Sequence, residues 1–139
     1  MLPLPNVAFT HRGSDWETAM SEPEHHGQSP AAEISTGTVQ LLHEYTGRGP
    51  TKAKTTIGEA TVTVLLAETL TKMEHRLAEL GYEDTVKTIR AQFQEAMRDD
   101  LVELVEAETE REVVAFISGY HIGPDFEADV FVLAPAQAD

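Results

Sequence analysis

Apolar residues recur at helical spacing in three segments of the chain. The first segment covers about residues 31–46 and is followed by Gly47, a residue type that often ends helices. Its apolar face consists of Ile34, Thr38, Leu41, Leu42 and Tyr45. The pattern predicts an amphipathic helix that packs this face on a core.

The second and third periodic segments follow each other closely. Leu70, Met73, Leu77 and Leu80 lie three or four residues apart and precede Gly81, which predicts a helix that ends there. The third segment predicts a long helix over about residues 82–107. Its apolar face consists of Val86, Ile89, Phe93, Met97, Leu101, Leu104 and Val105. Because this stripe is the longest in the chain, we expect the third helix to pack along the sheet.

Four shorter segments are rich in β-branched and apolar residues, which is typical of strands. They cover residues 53–57, 61–66, 112–118 and 130–133. Gly58 and Glu59 predict a hairpin turn, and a second turn is predicted at Gly123-Pro124-Asp125. The order α-β-β-α-α-β-β predicts an α+β fold, in which three helices pack on a mainly antiparallel sheet of about four strands.

The periodic segments also set the expected domain bounds. Residues 1–30 contain four prolines and no sustained apolar period, so we predict a flexible N-terminal tail. Residues 31–134 are predicted to form one domain, and residues 135–139 a short C-terminal tail. An open sheet has two edge strands, and pairing with a second copy covers one of them, so we expect a homodimer.

The charge balance is strongly acidic and uneven. The 139 residues carry a formal net charge of -14, and the last 41 residues contain eleven acids and one base. An acidic surface repels phosphate backbones, so the sequence disfavours nucleic acid as a partner. The absence of cysteine excludes disulfides and thiolate metal sites. No apolar run approaches the ~20 residues of a membrane-spanning helix. We therefore expect a cytoplasmic protein without direct membrane insertion.

A basic loop follows the first predicted helix and is the main candidate binding site. It contains Gly47, Arg48, Gly49, Thr51, Lys52 and Lys54. Glycines let neighbouring backbone N–H groups converge, and adjacent cations favour an anion there, so we predict a small-anion site. The alternative is a helix cap and connector, since cations are also favourable at a helix C-terminus. The spacing is neither that of a phosphate-binding P-loop nor that of a dinucleotide-binding loop.

A second candidate site lies at the predicted turn after the third strand. His121 and Asp125 flank this turn, where an imidazole and a carboxylate are able to share a hydrogen bond, a metal or a proton. The alternative is that Asp125 only stabilises the turn. The remaining histidines are scattered, so no metal site and no cofactor are predicted. Catalytic residues cannot be assigned from the sequence.

The element order partly overlaps that of type II KH domains, which bind single-stranded nucleic acid. Such domains carry a G-x-x-G loop between two helices. The corresponding junction here is Leu80-Gly81-Tyr82-Glu83-Asp84, with one glycine and two acids. Because acids there would repel the nucleic-acid backbone, a KH-like function is the weakest of three alternatives.

Three parts of the chain together resemble a known family. They are the segment 37–54 with its Gly-Arg-Gly-Pro-Thr-Lys loop, the segment 66–74, and the segments 93–101, 113–118 and 121–133 taken together. These segments resemble the MpsC-like family of small bacterial domains. The family is named after an associate of a sodium-translocating, membrane-potential-generating system, which is now linked with bicarbonate uptake. The resemblance covers about residues 31–134.

The resemblance implies a soluble, non-enzymatic accessory or regulatory domain. Such a domain would act through contacts with a membrane transport protein, near an ion or bicarbonate transport system. The alternative is a small-anion binder or weak enzyme that uses Arg48, Lys52 and Lys54. One departure stands out: Gly123 occupies the position where the family usually has an acid.

Overall fold

The computed structural model describes residues 20, 29–50 and 52–136. Within them, three helices and four strands follow the order α-β-β-α-α-β-β, which confirms the predicted α+β fold. The elements are α1 (Pro30–Thr46), β1 (Lys52–Ile57), β2 (Thr61–Ala67), α2 (Lys72–Glu79), α3 (Glu83–Thr109), β3 (Val113–His121) and β4 (Phe126–Leu133). The last two strands are longer than the sequence pattern predicted, because β3 reaches His121 and β4 already begins at Phe126.

The four strands form one antiparallel sheet in the order β1-β2-β4-β3. The hairpin between β1 and β2 is closed by a hydrogen bond from the Gly58 N–H to the Thr61 carbonyl (2.8 Å). β2 and β4 occupy the centre, and β1 and β3 form the edges. Side chains of each strand therefore alternate between two faces of the sheet, with different surroundings.

One face of the sheet carries the hydrophobic core, which lies under α1 and α3. Buried apolar side chains come from both helices and from the two central strands. They are Ile34, Leu42, Val62, Val64, Leu66, Met97, Leu101, Val105, Phe131 and Leu133. On the edge strands, Phe116 lies 5.0 Å from the Phe131 ring, and the Thr55 hydroxyl lies 2.7 Å from the Ser35 hydroxyl of α1. α1 thus reaches the edge strand β1, and α3 reaches the edge strand β3, where the Tyr120 hydroxyl donates to the Lys87 carbonyl of α3.

The opposite face of the sheet carries the alternate residues of each strand. Its rows run from β1 through β2 and β4 to β3, for example Thr56, Thr63, Val130 and Ile117. The side chains of the central strands on this face are mostly half-buried, whereas Ile117 on the edge is 59% exposed. This half-apolar surface is called the open face below.

The ends of the helices are fixed by local hydrogen bonds. The Ser29 hydroxyl accepts a hydrogen bond from the Ala32 N–H at the start of α1 (3.1 Å). Gly47 ends α1 with a φ of 78°, and its N–H donates to the His43 carbonyl. At the start of α2, Thr71 and Glu74 form a reciprocal capping box.

The buried faces of α2 and α3 differ from the predicted apolar stripes. In α2 the buried residue is Glu74, while Met73 is 71% exposed and Leu80, the residue after the helix, is 58% exposed. In α3 the buried stripe includes Arg90 and Gln94, whereas Phe93 is only partly buried. Glu74 and Arg90 pair with each other, which makes these two positions favourable for burial, and such a partner leaves no trace in the local apolar pattern.

The predicted domain bounds stay a prediction. Residues 1–19, 21–28 and 137–139 lie outside the described residues, and α1 begins at Pro30. Met20 is buried. Among the described residues, none of the helices has the length and apolar character required to cross a bilayer.

Candidate functional site

The predicted basic loop connects α1 to the edge strand β1. The Arg48 Nε donates to the Glu68 carbonyl oxygen (3.3 Å), and the Arg48 carbonyl oxygen accepts from the Thr46 hydroxyl (2.9 Å). Lys52 and Lys54 are already part of β1, and because Thr55 faces α1, these two lysines lie on the open face. Thr51 lies outside the described residues. The guanidinium and the two lysines are thus spread over a connector and a strand.

The second predicted site is assembled differently from the sequence interpretation. The His121 Nδ1 lies 2.9 Å from the Pro124 carbonyl oxygen, across the cis Gly123–Pro124 bond. Asp125 instead contacts the segment that leads into α2. Its Oδ2 accepts from the Leu70 N–H (2.9 Å) and lies 3.6 Å from the His75 Nε2, and its Oδ1 accepts from the Thr69 hydroxyl (3.1 Å). The histidine that approaches Asp125 is therefore His75.

The two predicted sites meet at one end of the sheet through the backbone of Glu68. The Glu68 carbonyl accepts from Arg48, and the Glu68 N–H donates to the Asp125 carbonyl (3.0 Å). On the open face, the row at this end joins Lys52, Ala67, Phe126 and His121. The structure thus brings the basic loop and the His121 turn to the same end of the molecule.

The anion site at the basic loop stays a prediction, and a double variant tests it. If Arg48 and Lys52 hold an anion together, Arg48→Ala with Lys52→Ala removes saturable binding of phosphate in a calorimetric titration at low salt. The fold should remain intact. A helix cap and connector alone predicts instead a stability loss of about 0.3–1 kcal/mol from the end of α1 and no lost binding. An exposed-lysine variant, Lys87→Ala, is the control. If the wild-type protein binds no phosphate, or if the double variant binds it equally well, the anion site is contradicted. The loop is then only a helix cap and a connector between α1 and β1.

A buried ion pair lies beneath the start of α2, at a place that the sequence did not indicate. Arg90 of α3 is 1% exposed, and its Nη2 donates to the Glu74 Oε1 (2.7 Å) and to the Thr69 carbonyl. The Glu74 Oε1 also accepts from the Thr71 N–H (2.8 Å) and hydroxyl (3.0 Å). Charge-assisted hydrogen bonds of this kind are stronger than neutral ones. They connect α3 directly to the first turn of α2.

Two further acids lie buried beside this ion pair, on the central strand β4. Glu127 and Asp129 are two residues apart, so both point to the helix-covered face, and each is 1% exposed. The Ser118 hydroxyl of β3 donates to the Asp129 Oδ1. Within the described residues, both Glu127 oxygens, the Asp129 Oδ2 and the Gln94 Nε2 are buried without a hydrogen-bond partner. These are costly positions for ionised groups.

Burial sets the protonation of the two acids. Desolvation and the nearby Asp129 charge raise the pKa of Glu127 well above its usual range, against the opposing effect of Arg90. Burial also raises the pKa of Asp129, although the hydrogen bond from Ser118 acts in the opposite direction. The two acids thus retain protons at a higher pH than exposed carboxyl groups do. No group of three or more metal-ligating side chains occurs in the described part of the chain.

Together these contacts hold the short segment from Thr69 to His75 on the body of the domain. Asp125 binds its first residues, Arg90 binds the Thr69 carbonyl, and Glu74 connects its capping box to α3. The set Arg90, Glu74, Thr69 and Asp125 is called the anchoring network below. It fixes the position of α2 so that Met73 is exposed, whereas Leu77 and Ala78 are half-buried.

Sequence reasoning missed most of this network, although weak signals were present. The spacing of Arg90 and Gln94 from Val86 and Met97 places them on the apolar face of α3. Similarly, Glu127 and Asp129 lie four and two residues before the buried Phe131, so the alternation of β4 places them on the same face of the sheet as Phe131. A charged residue at a core-facing position was therefore visible in both α3 and β4. The partners of these residues could not be inferred, because they lie far away along the chain.

A family model described as "Na+-translocating membrane potential-generating system (MpsC)" matches residues 27–135. No curated protein and no solved structure matches the chain. The matched range includes all three helices and all four strands, and with them the anchoring network and both sequence-predicted sites. The chain therefore belongs to the MpsC family.

Proposed function

We propose that this domain is a non-enzymatic accessory subunit that binds a membrane transport protein of a sodium-dependent, membrane-potential-generating system. The family description supports the link to such a system. A cytoplasmic location, as expected from the sequence, is part of the same proposal. The domain would act through protein contacts, and the structure offers a surface suited to them.

The observation that carries the proposal is a set of exposed apolar side chains on α2 and on the residues that directly follow it. Met73 and Leu80 are 71% and 58% exposed, and the adjacent Tyr82 is 56% exposed. Single exposed apolar residues are ordinary, but three large ones within ten residues of chain indicate an interaction surface. Met73, Leu80 and Tyr82 form what we call the α2 surface. Apolar side chains at helical spacing are the usual means by which a helix docks in a groove of a partner.

The anchoring network supports this role because it presents the α2 surface in a fixed orientation. An eight-residue helix is too short to be stable by itself in water. Arg90 donates to Glu74 of this helix, and Asp125 accepts from the Leu70 N–H just before it. These hydrogen bonds hold the helix on the domain, so its side chains need little ordering when a partner binds. A preorganised surface binds more tightly for the same contact area.

A charge variant of the α2 surface tests the proposal in the native host. With tagged wild-type protein and in-cell crosslinking, we expect an integral membrane transport protein to be recovered. Met73→Glu with Leu80→Glu should lower that recovery at least about tenfold, because a buried charge in the interface costs more than about 1.4 kcal/mol. The sodium-dependent membrane potential of the cells should fall in parallel.

The matched control is Ile57→Glu, which places the same charge on another exposed apolar residue, at the far edge of the sheet. This variant should retain both the partner and the membrane potential. The proposal fails if wild-type protein recovers no membrane transport protein, or if the α2 variant recovers it as well as the control does.

A further inference from the structure

The two edge strands of the sheet differ in length and in charge. β1 has six residues and carries Lys52 and Lys54, and lysines on an edge strand oppose pairing with another strand. β3 has nine residues, and His121 at its end is its only charged or basic side chain. Two large apolar side chains of β3, Val114 and Ile117, are 57% and 59% exposed.

Within the described residues, β3 pairs on one side only, with β4. Its other side therefore presents backbone N–H and C=O groups at the edge of the sheet. A long, uncharged edge with exposed apolar side chains is the kind of strand that recruits another strand. β1 carries the lysines that natural proteins use to prevent this, whereas β3 carries none. A register shift between Val113 and Ala115, and the hydrogen bond from the Val113 N–H to the Glu106 Oε2 (2.9 Å), confine the regular open edge of β3 to residues 115–121.

We propose that β3 pairs antiparallel with β3 of a second copy of this chain, so that two four-stranded sheets become one continuous eight-stranded sheet. This inference concerns a surface distinct from the α2 surface and does not depend on the proposed function. It identifies both the interface and the partner of the expected homodimer.

A second copy is the occupant that the edge pattern favours. Pairing of β3 with β1 of another copy would leave one free edge at each end and extend without limit, and the lysines of β1 oppose it. Pairing of β3 with β3 is two-fold symmetric and closes after two copies. The remaining edges of the joined sheet are then both β1, the edges that the lysines protect.

Self-pairing also matches side chains across the new interface. With the two-fold axis at Ile117, the midpoint of the strand, this residue lies opposite its own counterpart on the open face. The same register sets Ala115 opposite Gly119, which are both small. It also brings Glu112, just before the strand, near His121 of the other copy, and these residues have opposite charges when the imidazole is protonated. Apolar and oppositely charged cross-strand pairs both stabilise sheets.

The first test is the dimer dissociation constant of the full-length chain, measured by sedimentation. We expect a dimer for wild type and a dissociation constant at least about tenfold higher for Ile117→Lys. The two introduced lysines would face each other across the two-fold axis, and like charges directly opposite each other destabilise a strand pair. Circular dichroism checks that the variant is folded, and Val114→Lys provides a second variant if it is not. A wild-type monomer at all concentrations, or lysine variants that dimerise like wild type, would overturn the proposal.

The second test uses the absence of cysteine from the chain. Residues opposite each other in an antiparallel pair have Cα atoms about 4.5–5.5 Å apart, within the range of a disulfide. Under mild oxidation, Ile117→Cys should therefore form a covalent dimer, and Ile57→Cys on the exposed β1 edge should not. Equal crosslinking of the two variants, or crosslinking only through Ile57→Cys, would contradict the β3 interface.

The two surfaces are separable by experiment. Met73→Glu with Leu80→Glu should leave the dimer mass unchanged, and Ile117→Lys should leave the α2 surface intact. Deletion of residues 1–28 tests whether the N-terminal segment occupies β3. In that case the full-length chain would be a monomer and the truncated chain would be a dimer. That outcome would identify the N-terminal segment as the occupant of this edge and would overturn the proposal.

Discussion

Replacing Arg90 with methionine is expected to lower the free energy of unfolding by about 3–5 kcal/mol. The guanidinium is 1% exposed and pairs with the Glu74 carboxylate at 2.7 Å. Without Arg90, the Glu74 charge and the Thr69 carbonyl would lose their buried partner, and Glu127 would lose the cation that lowers its pKa. Methionine preserves most of the volume, so the loss reports the unpaired polar groups and not a cavity.

Urea denaturation followed by far-UV circular dichroism measures this loss. Arg98→Met, on the exposed side of the same helix, is the control and should change stability by less than about 0.5 kcal/mol. The double variant Arg90→Met with Glu74→Gln should recover part of the stability, since it removes both charges of the pair. If Arg90→Met costs less than about 1 kcal/mol, the ion pair is not formed in solution.

The order of elements was predictable from the sequence because it depends on local signals. Gly47 ends α1, Gly58 and Glu59 form the first hairpin, and the periodic segment before Gly81 becomes α2, although this helix begins only at Lys72. Each of these signals spans a few residues and keeps its meaning in any tertiary context. The number and type of elements therefore followed from patterns that can be recognised without long-range contacts.

The burial of α2 was not predictable in the same way. The sequence shows both an apolar stripe and acidic residues in this segment, and the sequence pattern predicted that the apolar stripe is buried. The structure buries Glu74 because Arg90, sixteen residues later, provides a partner. Asp125, the residue before β4, binds the segment that precedes α2. A helix orientation decided by such distant hydrogen bonds cannot be derived from periodicity, which measures only apolar spacing.

The candidate site shows the same limit at the level of single side chains. His121 and Asp125 are close in sequence, and this closeness suggested a pair. In the structure, His121 is the last residue of β3 and binds Pro124, whereas Asp125 binds Thr69 and Leu70. The turn between them points the two side chains toward different elements. Asp125 thus contacts the segment that leads into α2 and not the His121 side chain.

Glu127→Gln is expected to make the protein more stable than wild type at pH 8, and the difference should shrink toward pH 5. Burial raises the pKa of Glu127 in the folded state above its unfolded value, so the folded protein binds the proton more tightly. The stability linked to this proton is fully present below the unfolded pKa and is lost as the pH rises through the folded pKa. The slope is about 1.4 kcal/mol per pH unit for one proton.

Glutamine resembles the protonated acid and does not titrate, so Glu127→Gln removes this slope. Free energies of unfolding from urea denaturation at pH 5, 6, 7 and 8 measure the effect. Glu95→Gln, an exposed change on α3, provides the control and should follow the wild-type profile, because its charge is solvated in both states. Parallel profiles for wild type and Glu127→Gln would mean that Glu127 is ionised in the folded core, with Arg90 close enough to compensate its charge.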